Sequence, residues 1–231
     1  MAGTCLPRKA PSDAALEHGL GLPPMIAVLD YGIGNLRSAE KALQHVGADA
    51  RLVADPDVAS TADGVVLPGV GAFGACAEAL RRSGLDEVVR GAVAGEVPFL
   101  GICIGFQLMF EGSDEDPGVT GLGVFDGVVR ELPASERRPQ MQWNVVRPVL
   151  GRPSRLLGLE GAARWYYFVH SYAPVPGVGS EPAVVGVCDY GGEVVAAMET
   201  PAVFGTQFHP EKSGSTGLAL LQRFAECCNP A

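Results

Sequence analysis

"VPFLGICIGFQ" (residues 97–107) is an apolar run of strand length that ends on a cysteine set between two glycines, with a stretch behind it that can start a helix. One reading of Cys103 is a core thiol, since cysteine buries well without a partner. The other is a nucleophile. A sharp strand-to-helix turn lifts one side chain out of the sheet, and Gly101 and Gly105 would let the backbone bend and approach a substrate closely. The following helix start would also aim N–H groups and a positive dipole end at the sulfur, which favours a thiolate and can hold an oxyanion. The stretches on either side of this turn bear on the choice.

Upstream, "MIAVLD" (25–30) reads as a buried parallel strand, followed by the glycine-rich turn "YGIGN". A helix is expected to begin near Asn35, whose side chain can cap it, with Leu36, Ala39, Leu43 and Val46 on one face and Gly47 as its stop. "ARLV" (50–53), "GVVLPG" (64–69) and "VPFLGI" (97–102) are further strands, with helices over 73–82 and 85–94. Strands alternating with helices predict an α/β fold: a doubly wound, mostly parallel, flavodoxin-like sheet with helices on both faces. Beyond about residue 117 the pattern turns β-rich. "GLGVFDGVVREL", "QWNVVRP", "WYYFVHSY", "AVVGVCDY", "EVVAAME" and "AVFGTQFHP" are strands parted by Gly/Pro turns, before a last helix in "SGSTGLALLQRFAECC". One domain over 25–228 is expected. Residues 1–24 hold prolines and basic residues in a small-residue background with no apolar stretch, and read as a disordered extension rather than a secretion signal.

Bulk properties exclude several classes of function. The 231 residues are 47% hydrophobic and 19% charged, a globular composition. A net charge of −9 argues against nucleic acid or anionic lipid as partner, and the apolar runs fall well short of the ~20 residues of a membrane span. The six cysteines form no CxxC pair, which suits a reduced, cytoplasmic protein.

A nucleophilic cysteine needs a base, and the base an orienting acid. "TQFHPEK" (206–212) offers both: His209 and Glu211 leave a strand two residues apart, a spacing that in extended chain puts both side chains on one face, with Pro210 stiffening the pair. The alternative is a surface turn with unconnected polar residues. His18 falls in the extension and His45 at the end of the first helix, where a cation suits the dipole; His170 in "YFVHSY" has no acid near it and reads as packed or hydrogen-bonded. No spaced His/Cys/Asp cluster suggests a metal. "LPGVGAFG" (67–74) has neither GxGxxG nor a Lys-Ser/Thr ending, so it fails as a phosphate loop but suits a backbone donor to an oxyanion.

Taken together, "PFLGICIGFQLMFEGS", "FHPEKS" and the order Cys–His–Glu resemble the class I glutamine amidotransferases. "LDYGIGNLRSAEKAL", "LPGVGAFG", "GLGVFDG", "PQMQWNVV" and "YYFVHSY" narrow the resemblance to the glutaminase subunits of imidazole glycerol phosphate synthase, over residues 25 to 228. The resemblance implies that Cys103 attacks glutamine to give a glutamyl thioester, with His209 as acid–base and Glu211 as its orienter. It implies oxyanion donors on the backbone of Ile104 and of Val70 or Gly71, and substrate contacts at Gly69, Gln107, Glu115, Ser171 and Tyr172. It further implies no cofactor, and a (β/α)8-barrel cyclase partner that receives the ammonia, with Trp143 and Asn144 as interface candidates. The family pattern "PHMGWN" stands here as Pro139-Gln140-Met141-Gln142-Trp143-Asn144, so a side chain at Gln142 replaces a glycine. The alternatives are a glutaminase serving another acceptor, or a catalytically impaired binding module.

Overall fold

The computed structural model describes residues 24–158 and 162–229, so the expected extension lies outside the described residues apart from Pro24. The first half runs β1 (Met25–Leu29), α1 (Leu36–His45), β2 (Asp49–Val53), α2 (Pro56–Ala59), β3 (Gly64–Gly69), α3 (Phe73–Ser83), α4 (Leu85–Ala94), β4 (Phe99–Cys103) and the single turn α5 (Ile104–Gln107). The second half runs β5 (Gly112–Ser113), β6 (Gly127–Glu131), β7 (Gln140–Pro148), β8 (Arg164–His170), β9 (Tyr172–Pro176), β10 (Val184–Asp189), β11 (Glu193–Glu199), β12 (Val203–Thr206) and α6 (Gly214–Cys227).

Nine strands form one sheet in the order β2-β1-β3-β4-β12-β11-β10-β7-β8, and β5-β6-β9 form a small second sheet. From β2 through β12 neighbours are parallel; from β12 through β8 they are antiparallel. The parallel strands β3 and β4 are buried along their whole length, as uninterrupted apolar runs demand when helices cover both faces. The excursion that the β-rich second half makes ends with β12 returning beside β4, Thr206 opposite Ile102. That pairing carries the residues just after β12 to the end of β4 where Cys103 sits.

Two local expectations resolve differently. Asn35 precedes α1, but its side chain makes no bond to the helix amides; Oδ1 accepts from the Ser38 hydroxyl at 2.8 Å instead. The hydroxyl competes for the oxygen that a cap would use. "GLGVFDGVVREL" is strand only over Gly127–Glu131. The stop of α1 at Gly47 is as the sequence predicts, with φ +89 and its N–H on the Gln44 carbonyl.

Candidate active site

Cys103 is the last residue of β4 and has φ 54 and ψ −110, left-handed backbone that side chains with a Cβ rarely adopt. Such a residue stores of order 1–3 kcal/mol, held by its surroundings. The surroundings here are glycines that let backbone meet backbone. A Cβ on Gly105 would lie 1.8 Å from the Leu67 carbonyl oxygen, so α5 can seat against β3 only without one. A Cβ on Gly101 would lie 2.7 Å from the Met109 sulfur. The turn therefore fixes Cys103 at the carboxyl edge of the sheet, its thiol donating to the Val169 carbonyl at 3.9 Å.

His209 stands just beyond β12 and is 1% exposed. Its N–H donates to the Tyr167 carbonyl at 2.9 Å and its carbonyl accepts from the Ser213 hydroxyl at 2.6 Å, so β8 and the start of α6 clamp its backbone. Its Nδ1–H donates to Glu211 Oε1 at 2.8 Å, both side chains being almost wholly buried. The i, i+2 spacing thus does join imidazole and carboxylate. Burial works against charge on this ring, but hydrogen bonding to Cys103 and then to Glu211 outweighs it and pushes the imidazole pKa up to about 10. With Nδ1 engaged by Glu211, Nε2 carries no bond of proper geometry and is the atom left to face the sulfur.

A cleft of about 230 Å³ opens in front of Cys103, on the scale of one amino acid. Val70, Gly71, Ile104, Gln107, Glu115, Ser171 and Tyr172 all contribute to its wall. Gly69 lies one step back, opposite Cys103 in the β3–β4 ladder. His209 and Glu211 are not among the residues that line the cleft. Glu115 Oε2 accepts from the Phe73 N–H at 2.9 Å, tying the loop after β5 to the first turn of α3. Behind the glycine-flanked strand end, the Tyr31 hydroxyl donates to the Pro68 carbonyl at 2.8 Å and the Cys76 thiol to the Val70 carbonyl at 3.5 Å. Burial raises both groups, Cys76 to about 11, so both remain protonated donors at neutral pH.

Comparison with known proteins shows to which family this arrangement belongs. The family described as "Glutamine amidotransferase class-I" matches residues 27–227. "Imidazole glycerol phosphate synthase subunit HisH" of Methanothermobacter thermautotrophicus is 46% identical over 203 residues, 87% of this chain and 98% of that one. The chain belongs to the HisH family of class I glutamine amidotransferases. The Mycobacterium bovis HisH is 45% identical over 202 residues, 87% of this chain and 97% of that one. "Imidazole glycerol phosphate synthase hisHF, chloroplastic" of Arabidopsis thaliana is 37% identical over 225 residues, 96% of this chain but 38% of the longer plant protein. Among solved structures, "Structure of PurLQS from Thermotoga maritima" superposes with a TM-score of 0.69 at 20% identity, over 89% of this chain and 99% of that one, a likeness of fold.

His170 of this amidotransferase is packed and hydrogen-bonded as its sequence suggests, its Nδ1–H donating to the Tyr172 carbonyl at 2.8 Å and burial pushing its pKa down to about 4; it also lines the cleft, which the sequence does not show. Gln207, in "TQFHPEK", has no role in the sequence reading, yet it is fully buried and its Nε2 donates to the Cys103 sulfur at 3.7 Å. The i, i+2 spacing that relates His209 to Glu211 also relates Gln207 to His209. Of the two interface candidates, Trp143 is 48% exposed, but Asn144 turns to the other strand face and donates from Nδ2 to the Asp189 carbonyl at 2.9 Å. Gln142 is exposed in regular β7, opposite Phe168, where extended backbone accepts any side chain. Among the described residues no helix is long and apolar enough to cross a membrane.

Proposed function

We propose that this chain hydrolyses L-glutamine to glutamate and ammonia and passes the ammonia to a (β/α)8-barrel cyclase, which makes imidazole glycerol phosphate and AICAR in histidine biosynthesis in the cytoplasm. The observation that carries the reading is the buried His209 imidazole, bound to Glu211 on one nitrogen and biased toward its protonated form by the nearby Cys103 sulfur. His209 takes the thiol proton, and Sγ attacks the carboxamide carbon to give a tetrahedral oxyanion. The C–N bond then breaks, His209 returns the proton to the departing ammonia, and a γ-glutamyl thioester remains. Water, deprotonated by the same imidazole, cleaves the thioester to glutamate and the free thiol. Glu211 holds the ring in the tautomer that presents Nε2 to the sulfur. Backbone N–H groups of Ile104 and of Val70 or Gly71, in the wall beside the sulfur, serve the oxyanion; removing one such donor costs about 3–4 kcal/mol in barrier. Gln107, Glu115, Ser171 and Tyr172 hold the amino acid's polar ends.

A partner is supported by the names of the relatives and by one face of the β7–β8 pair. Met141, Trp143 and Trp165 stand on it 62%, 48% and 57% exposed, with Tyr167 against Trp143, and the face runs on to Val169 at the cleft. Clustered exposed aromatics of this kind mark a docking surface. The test is Cys103→Ala in the complex. Glutamine-dependent synthesis should be lost while synthesis fed with free ammonia persists. Loss of both would make Cys103 structural, and retention of glutamine-dependent synthesis would end the nucleophile reading.

A further inference from the structure

We propose that Gln207 is a positioning residue for the nucleophile, its side-chain amide supplying the hydrogen bond that holds the Cys103 sulfur once the thiol proton has left. The proposal rests on Cys103 being the nucleophile of the proposed reaction. Gln207 is fully buried, and its Nε2 lies 3.7 Å from Sγ across a sequence separation of 104 residues. Its Oε1 accepts from Gln107 Nε2 at 3.0 Å, and the same Gln107 nitrogen donates to the Tyr172 carbonyl at 2.8 Å.

This chain of contacts has one consistent orientation. The Tyr172 carbonyl can only accept, so Gln107 must turn its NH2 toward it. That NH2 is then shared with Gln207, which must answer with its oxygen. The Gln207 NH2 is left aimed at the sulfur. Turning either amide around would set oxygen against oxygen or N–H against N–H among these groups. The order Tyr172 carbonyl, Gln107, Gln207, Cys103 therefore delivers a donor to the one atom that becomes anionic.

The other neighbour of the sulfur is an acceptor. Val169 offers its carbonyl at 3.9 Å, which suits the thiol and opposes the thiolate. When His209 takes the proton, the bond to Val169 is lost and the Gln207 N–H becomes the hydrogen bond that persists from the neutral to the charged nucleophile. A second consequence concerns Gln107. Both faces of its NH2 are spoken for, while its Oε1 is buried in the cleft wall with no partner, so it can meet a substrate only as an acceptor, on an N–H.

The experiment uses the full chain with Gln207→Leu, which removes the donor, and Gln207→Glu, which keeps the shape and the acceptor for Gln107 but faces the sulfur with a carboxylate. Iodoacetamide, whose iodide a thiolate displaces, is followed against pH with the modified cysteine assigned by peptide mass spectrometry. Turnover of glutamine and synthesis from free ammonia are measured in the partner complex. In both variants the alkylation profile of Cys103 should move to higher pH by about one unit or more, further for Gln207→Glu. Glutamine turnover should fall roughly 10- to 100-fold, the scale of a hydrogen bond to a charged group. Ammonia-dependent synthesis should stay at the parent level, and an unchanged melting temperature with parent-like co-elution with the cyclase certifies the fold. Should Gln207→Leu fail that control, Gln207→Glu carries the test. The proposal is overturned by a folded Gln207→Glu chain with the parent's alkylation profile and glutamine turnover within about threefold of parent. Cys103→Ala run alongside separates the two claims: if it still turns over glutamine, the nucleophile assignment falls with everything built on it.

Discussion

Glu211→Gln tests how much the carboxylate contributes through the imidazole. An imidazole held at about 10 rather than its ordinary 6.5 binds its proton more tightly by about 5 kcal/mol, at ~1.4 kcal/mol per pH unit. That gain is net of burial, which opposes it, and is divided between Cys103, the larger contributor, and Glu211. A hydrogen bond to a charged group contributes about 1.5–3 kcal/mol, so about 2 kcal/mol is expected from the Glu211 charge through a bond 2.8 Å long and sealed from solvent. Glutamine at position 211 keeps a neutral acceptor for Nδ1–H but removes the charge. The imidazolium that forms as the thiol is deprotonated then loses about 2 kcal/mol, and kcat for glutamine should fall about 30-fold. The assay is glutamate release by the partner complex at saturating glutamine, with the melting temperature of the chain and its co-elution with the cyclase as the controls for fold and docking. Turnover within about threefold of parent would refute the argument, because it would mean that the charge does not act through His209. A loss as complete as that of His209→Ala would refute it from the other side, by giving Glu211 a role beyond orienting the ring.

Three more consequences can be measured. His170 resists protonation when folded, at about 4, but takes a proton near 6.5 when unfolded, so it adds no penalty above pH 6.5 and costs up to about 3 kcal/mol of stability as pH falls to 4; denaturant titrations of His170→Gln should show that much less acid-side loss, and parallel curves would sink the claim. In Gly105→Ala the new Cβ meets the Leu67 carbonyl, backbone against backbone, so about 1–3 kcal/mol of strain should lower Tm by several degrees; an unchanged melt would show that α5 yields freely. Trp143→Ala should weaken cyclase binding about 30-fold in a titration, as truncating an aromatic anchor does, while free-chain stability is preserved; unaltered binding would move the interface off the β7–β8 face.

Much of this molecule can be read from local chemistry. The apolar run of residues 64–69 and the alternation with helices prescribe a buried parallel strand, because the periodicity of side chains is a property of a few consecutive residues. The Gly-Ile-Cys-Ile-Gly turn and the His-Pro-Glu step are local as well: bending the chain at Cys103 needs missing Cβ atoms on either side, and joining His209 to Glu211 needs only a spacing of two. What no stretch of residues contains is which strands lie side by side. Cys103 meets Gln207 because β12 returns through a β-rich excursion to lie parallel to β4, a contact between residues 104 positions apart. The same long-range pairing assigns faces, setting Asn144 against Asp189 while Trp143 faces solvent, and lowering His170 into the cleft wall. Backbone preference and side-chain pattern act over one or two turns of chain. The juxtaposition of amides, imidazole and thiol is a property of packing, and the fold as a whole had to close before it existed.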